Sequence, residues 1–98
     1  MRILFVEDDE ALAPVVASAL SQQHYVIDLA LDGEQGWDYA CTFTYDLMLL
    51  DVSLPKLDGI SLCRRLRLRN DRTPVLLLTA HEPHTSQRRS PWQVWGSV

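Results

Sequence analysis

Short runs of mostly apolar residues recur along the first 80 positions of the chain, and each has the length of a β-strand. They are Ile3–Val6, Tyr25–Ala30, Asp46–Asp51 and Pro74–Thr79. Continuous apolar runs of this length are typical of strands that are covered on both faces. Apolar residues with helical spacing lie between them, from residue 9 or 10 to 22 and over residues 34–41 and 60–68.

This alternation of strands and helices predicts an α/β fold. Right-handed β-α-β crossovers would give a parallel sheet of about four strands, with three helices distributed over both faces. The inward-facing positions predicted for the third helix are Ile60, Cys63, Leu66 and, as a further candidate, Leu68. Ligands of such sheets bind at the carboxyl ends of the strands, near the point where the strand order reverses.

Acidic residues occur where two of the predicted strands end. Glu7 and Asp8 follow the first apolar run, Asp51 ends the third, and Thr79 ends the fourth. Because the carboxyl ends of parallel strands meet at one edge of the sheet, we expect these four residues to converge there.

The acidic run of residues 7–10 has two interpretations. Acids suit the start of a helix, and Asp is a preferred N-cap, so the run could simply begin the first helix. Alternatively, several carboxylates at one edge suit Mg²⁺, which takes a few oxygen ligands. The run alone favours the cap, but the second acid, Asp51, at the end of a second apolar strand favours the metal site. A phosphate donor could then reach an aspartate nucleophile and form an acyl phosphate, with the Thr79 hydroxyl bonding a phosphoryl oxygen.

Composition restricts the class of protein further. The chain has 98 residues, enough for one small domain, and a formal net charge of −4, which argues against nucleic-acid or membrane binding by net electrostatics. No segment resembles a signal peptide or a membrane span. Cys41 and Cys63 are predicted to be reduced, buried thiols, which are typical of a cytoplasmic protein.

Three segments resemble the receiver domain of two-component response regulators. They are "RILFVEDDEAL", "YDLMLLDVSLPKLDGISLCRRLR" and "TPVLLLTA", in the order and at the spacing of that family, over residues 1–80. The resemblance implies a flavodoxin-like fold and a phosphoacceptor function. The partner it implies is a sensor histidine kinase or a histidine phosphotransfer domain, which donates a phosphoryl group from a phosphohistidine.

The resemblance also implies a role for each site residue. Asp51 corresponds to the phosphoacceptor. The implied ligands of Mg²⁺ are Glu7, Asp8, Asp51 and the backbone carbonyl of Ser53. Thr79 matches the hydroxyl residue that reorients on phosphorylation, and Ala80 is the small residue beside it.

The resemblance stops after Ala80. The tail, residues 81–98, reads "HEPHTSQRRSPWQVWGSV" and has neither helical nor alternating apolar spacing. It lacks the last strand and last helices of the family, and the lysine that would contact the phosphoryl group. We therefore expect a partial receiver domain over 1–80, followed by an atypical tail that is frameshift-derived, disordered or swapped.

Two functions follow from these features. The first is a signalling phosphoacceptor that is not a metabolic enzyme. The alternative is a truncated receiver fragment that acts only as an interaction or oligomerising scaffold, without a working phospho-switch. An open face or an exposed sheet edge would favour a homo-oligomer.

Overall fold

A computed structural model of the chain describes the backbone of residues 1–80 and 92–97 and the side chains of residues 1–78. Residues 81–91 and 98 lie outside the described residues, and with them most of the tail. The fold and the site below are built from the described part of the chain.

The predicted alternation of strands and helices is confirmed. The elements are β1 (Arg2–Val6), α1 (Leu12–Ser21), β2 (Val26–Ala30), α2 (Gly33–Thr42), β3 (Leu47–Asp51), α3 (Gly59–Leu68) and β4 (Val75–Ala80). These four strands are parallel, so the α/β, flavodoxin-like class is confirmed as well. Alternate residues of the strands point to opposite faces of the sheet, and both faces are covered by helices.

One face of the sheet packs against α2 and α3. Leu4, Val6 and Leu50 of the strands form one core cluster with Ala40 of α2 and Leu66 of α3, and all five are buried. The apolar runs are thus continuous because their alternate residues serve two separate layers.

The other face packs against α1. Leu12 and Val16 of α1 line the same small cavity as Phe5 and Leu49 of the strands. Phe5 is 1 % exposed, so this layer is also a well-covered core.

The order of the parallel strands is β2-β1-β3-β4. The second strand is added on one side of β1 and the later strands on the other, so the strand order reverses between β1 and β3. Val6 at the end of β1 is level with Ala30 of β2 and with Leu50 of β3. Asp51 at the end of β3 is level with Leu78 of β4. The residues that follow β1 and β3 therefore share one edge, at the switch point where such folds bind ligands.

A further strand, β5 (Trp92–Ser97), lies within the tail and was not predicted. It pairs antiparallel with β4, with Trp92 opposite Ala80 and Gln93 opposite Thr79. Antiparallel pairing, unlike the parallel pairing of β1 to β4, does not require a crossover connection. In the described sheet, β4 is consequently not an edge strand.

Two side-chain predictions were wrong. Leu68 is 86 % exposed, because it lies two residues past buried Leu66 and so about 200° around the helix from it. Cys41 is exposed one residue past buried Ala40, and its Sγ accepts a hydrogen bond from Arg69 Nη1 at 2.7 Å. Cys63, by contrast, is buried as predicted.

Candidate metal and phosphoacceptor site

The sheet positions the two buried acids of the site. The Glu7 N–H donates to the Ala30 carbonyl at 3.0 Å, and the Val52 N–H donates to the Leu78 carbonyl at 2.8 Å. Parallel pairing therefore continues one residue beyond β1 and β3, and it holds the backbone on either side of the switch point. Glu7 is 2 % exposed and Asp51 is 6 % exposed.

Glu7, Asp8 and Asp51 form a cluster of three carboxylates. One oxygen of each lies within 4.8 Å of the other two, and Asp8 is the exposed member. We call these three residues the acid cluster. The predicted convergence of the acids at one edge is thus observed for all three.

The acid cluster fits a divalent cation. Glu7 Oε2 accepts the Asp9 N–H at 3.0 Å, but Glu7 Oε1 is buried and has no hydrogen-bond partner. A buried carboxylate oxygen without a partner is costly, and a cation would satisfy it. Three oxygen donors, one of them open to solvent, also match the preference of Mg²⁺ for a few carboxylates and retained waters.

Electrostatics lead to the same conclusion. Burial, together with the nearby charges of Asp51 and Asp8, raises the pKa of Glu7 to about 7. Burial and the charge of Asp8 also raise the pKa of Asp51, although the Ser53 N–H opposes this. Buried like charges hold a proton or a cation between them, because either one relieves desolvation and repulsion.

The helix-cap interpretation of the acidic run is confirmed for one of its residues, and the metal-site interpretation stays a prediction for two others. Asp9 Oδ1 accepts the N–H groups of Ala11 and Leu12, at 2.9 and 3.1 Å. Asp9 therefore caps the start of α1, while Glu7 and Asp8 belong to the acid cluster. Consecutive residues of the acidic run therefore have different structural positions.

The other predicted site residues lie at the same edge. The Ser53 N–H donates to Asp51 Oδ1 at 3.1 Å, which places Ser53 beside the acceptor. Thr79 and Ala80 end β4 one and two residues past the partner of Asp51, so their backbone adjoins the edge. The metal-ligand role of the Ser53 carbonyl and the switch roles of Thr79 and Ala80 stay predictions.

Some residues near the site were not recognised from the sequence. Asp32 caps α2 by accepting the Gln35 N–H at 2.8 Å. Lys56, the chain's single lysine, lies 3.6 Å from Asp32. Asp32 could have been identified from the sequence, because an acid directly before a helical segment is an N-cap signal. The contact with Lys56 could not, because it joins residues that are far apart in the chain.

None of the helices in the described residues is both long enough and apolar enough to cross a membrane.

Comparison with known proteins agrees with the geometry. The family model described as the response regulator receiver domain matches residues 3–90. Protein RcaC of Microchaete diplosiphon is 51 % identical over 87 residues, which are 89 % of this chain and 13 % of that protein. The transcriptional regulatory protein DltR of Streptococcus agalactiae is 44 % identical over 80 residues, which are 82 % of this chain and 36 % of that protein. This chain thus spans only a small part of these curated relatives.

Solved structures show the same fold. The receiver domain of a Francisella response regulator superposes with a TM-score of 0.79 at 32 % identity, over 83 % of this chain and 67 % of that one. The response regulator protein TrrA of Thermotoga maritima, solved in complex with Mg²⁺ and BeF, superposes with a TM-score of 0.76 at 29 % identity, over 89 % of this chain and 76 % of that one.

Proposed function

Because this chain belongs to the response regulator receiver domain family, we propose that it accepts a phosphoryl group on Asp51 from a phosphohistidine. The donor is a sensor histidine kinase or a histidine phosphotransfer domain. The observation that carries the proposal is the acid cluster, in which Asp51 ends a central strand beside Glu7 and Asp8 at the switch point of the sheet.

The chemistry is a phosphoryl transfer between two side chains. A carboxylate oxygen of Asp51 attacks phosphorus, the phosphorus–nitrogen bond of the phosphohistidine breaks, and the histidine nitrogen leaves with the electron pair. The product is an acyl phosphate on Asp51, and attack by water would return the carboxylate and inorganic phosphate. The chain acts as a signalling phosphoacceptor and not as a metabolic enzyme.

The residues of the site have separate tasks in this proposal. Glu7, Asp8, Asp51 and the Ser53 carbonyl hold Mg²⁺, which when bound neutralises charge on the acids and on the incoming phosphoryl oxygens. The Ser53 N–H orients the Asp51 carboxylate through the 3.1 Å hydrogen bond to Oδ1. Thr79, with the small Ala80 beside it, responds to the phosphoryl group at the end of β4.

We place this activity in the cytoplasm. Cys41 and Cys63 are both free thiols, which suits a reducing compartment. No direct contact with nucleic acid or membrane is proposed for this chain, whose formal net charge is −4.

The test is intact-mass spectrometry after incubation with an acyl phosphate donor and Mg²⁺. We expect a mass gain of one phosphoryl group that requires both Mg²⁺ and Asp51 and is absent from Asp51→Asn. Asp58→Asn is the matched control, because Asp58 is an exposed acid seven residues away that caps α3. A gain that survives Asp51→Asn, or a folded wild-type chain with no gain, contradicts the proposal.

The alternative is a scaffold that binds partners or copies of itself without a phospho-switch. The sequence lacks the lysine that the family resemblance places against the phosphoryl group. The observation that favours the alternative is that Lys56, the chain's single lysine, has its ammonium group 3.6 Å from Asp32 and is thus paired with that acid. A folded chain that takes no phosphate but associates in light scattering would establish this alternative.

A further inference from the structure

The loop of residues 52–58, which follows β3, is held against the start of α2. The Gly33 N–H donates to the carbonyl of Pro55 at 3.3 Å, and Lys56 Nζ lies 3.6 Å from Asp32 Oδ2. Asp32 is also the N-cap of α2. The residues that begin the helix therefore also fix the loop, and we call Asp32, Gly33 and Lys56 the loop clamp.

The held part of the loop has an unusual backbone. The Pro55 carbonyl also accepts the Leu57 N–H at 2.7 Å, which closes a three-residue turn with Lys56 at its centre. Lys56 has φ of 68°, in the left-handed region that lysine rarely adopts. A turn of this kind persists only where the surrounding structure holds it.

Position 33 of the clamp has no room for a side chain. A Cβ at Gly33 would lie 2.5 Å from the backbone carbonyl carbon of Leu57 and 2.6 Å from its Cβ. These atoms can give way only if the loop moves. Gly36, one turn later in the same helix, differs: a Cβ there would lie 2.9 Å from a methyl of Val6 and 3.2 Å from one of Leu62.

The other end of the loop holds the acceptor. The Ser53 N–H donates to Asp51 Oδ1 at 3.1 Å, and the Gly59 N–H donates to the Val52 carbonyl at 3.0 Å. A shift of the clamped end therefore moves Ser53 and loosens the orientation of the Asp51 carboxylate.

We propose that Gly33 is a positioning residue for the acid cluster. Its missing side chain lets the clamp hold the loop in the one arrangement that orients Asp51 and presents Ser53 to the cation. The inference rests on the proposed function, because the placement of the loop matters only if the acid cluster binds Mg²⁺ and Asp51 takes a phosphoryl group.

The test compares Gly33→Ala with Gly36→Ala in the full chain. Amide hydrogen exchange by NMR without Mg²⁺ reports on the Ser53 N–H, and calorimetric titration reports on Mg²⁺ affinity. We expect Gly33→Ala to speed exchange at Ser53 and to weaken Mg²⁺ binding about tenfold, as outer-shell changes typically do. Gly36→Ala should lower thermal stability through core packing and leave both readouts at wild-type values. A wild-type response from Gly33→Ala, or equal effects from both variants, overturns the inference.

A second measurement covers the case in which Gly33→Ala does not fold. If the held loop promotes Mg²⁺ binding, then Mg²⁺ must stabilise the held loop to the same extent, so saturating Mg²⁺ should slow exchange of the Gly33 amide in the wild-type chain. Unchanged exchange at Gly33 overturns the inference. The phosphoacceptor proposal fails separately, since a chain can show both exchange effects and still gain no phosphate on Asp51.

Discussion

Glu7→Gln should stabilise the chain when no divalent cation is present. Glu7 is 2 % exposed, and its pKa is raised from an ordinary value of 4.5 to about 7, chiefly by burial. Each pH unit between these two values corresponds to about 1.4 kcal/mol, so the ionised carboxylate lowers the free energy of unfolding by about 3 kcal/mol at most. Glutamine retains an oxygen that can accept the Asp9 N–H and carries no charge.

The sign of the pH dependence follows from the raised pKa. Below about pH 4.5 Glu7 is neutral in the folded and the unfolded chain and costs nothing, whereas stability falls as the pH rises towards about 7 and the unfolded chain ionises first. Wild type should therefore lose stability over this range and Glu7→Gln should not. We expect a net gain of about 1–3 kcal/mol near pH 8.

Urea unfolding followed by circular dichroism measures this difference near pH 5 and near pH 8. Glu10→Gln is the control, because Glu10 belongs to the same acidic run but is exposed. Saturating Mg²⁺ should stabilise wild type and have little effect on Glu7→Gln, since the variant lacks one ligand of the acid cluster. The reasoning is refuted if Glu7→Gln is no more stable than wild type near pH 8, or if Glu10→Gln gains as much.

Three further changes test other parts of the fold. Asp58→Ala removes the cap of α3, whose carboxylate accepts the Ser61 N–H at 2.8 Å, and should cost about 1 kcal/mol in urea unfolding, while Asp58→Asn should cost little. Tyr45→Phe removes the hydroxyl that donates to Asp28 at 2.7 Å and should cost about 1–2 kcal/mol in the same assay. A chain that ends at Ala80 loses β5 and frees the backbone edge of β4, so light scattering should show more self-association than for the full chain; equal association would contradict the role of β5 as an edge cover.

The parallel sheet and the acid cluster could be predicted because they depend on local patterns and on one topological rule. Strand-length apolar runs identified the four parallel strands, and the convergence of carboxyl ends brought Glu7, Asp8 and Asp51 together. The assignment of the cap of α1 to Asp9 was out of reach, because it depends on which backbone N–H groups lie beside each carboxylate in the folded chain.

Other features depend on contacts that no local pattern encodes. The exposure of Leu68 is not among them, because it follows from the helix period: Leu68 lies about 200° around α3 from buried Leu66. Strand β5 is defined by its backbone pairing with β4, and its own sequence does not have the alternating apolar spacing that would predict a strand. The close approach of Gly33 to Leu57 joins the start of α2 to a loop that is far away in the chain.

The pairing of β1 with β3 also has a consequence during synthesis of the chain. About 40 residues separate the end of β1 from the start of β3, so at ribosomal rates β1 waits about 2–8 s for this neighbour. During that interval the edge of Ile3–Val6 that faces β3 is unpaired even after β2 has been made, and an unpaired apolar edge is a typical starting point for aggregation. Charged residues that flank such a strand oppose its association with other unfinished chains. We therefore expect Glu7, Asp8, Asp9 and Glu10 to protect the nascent chain before any of them has a cation or a helix to stabilise.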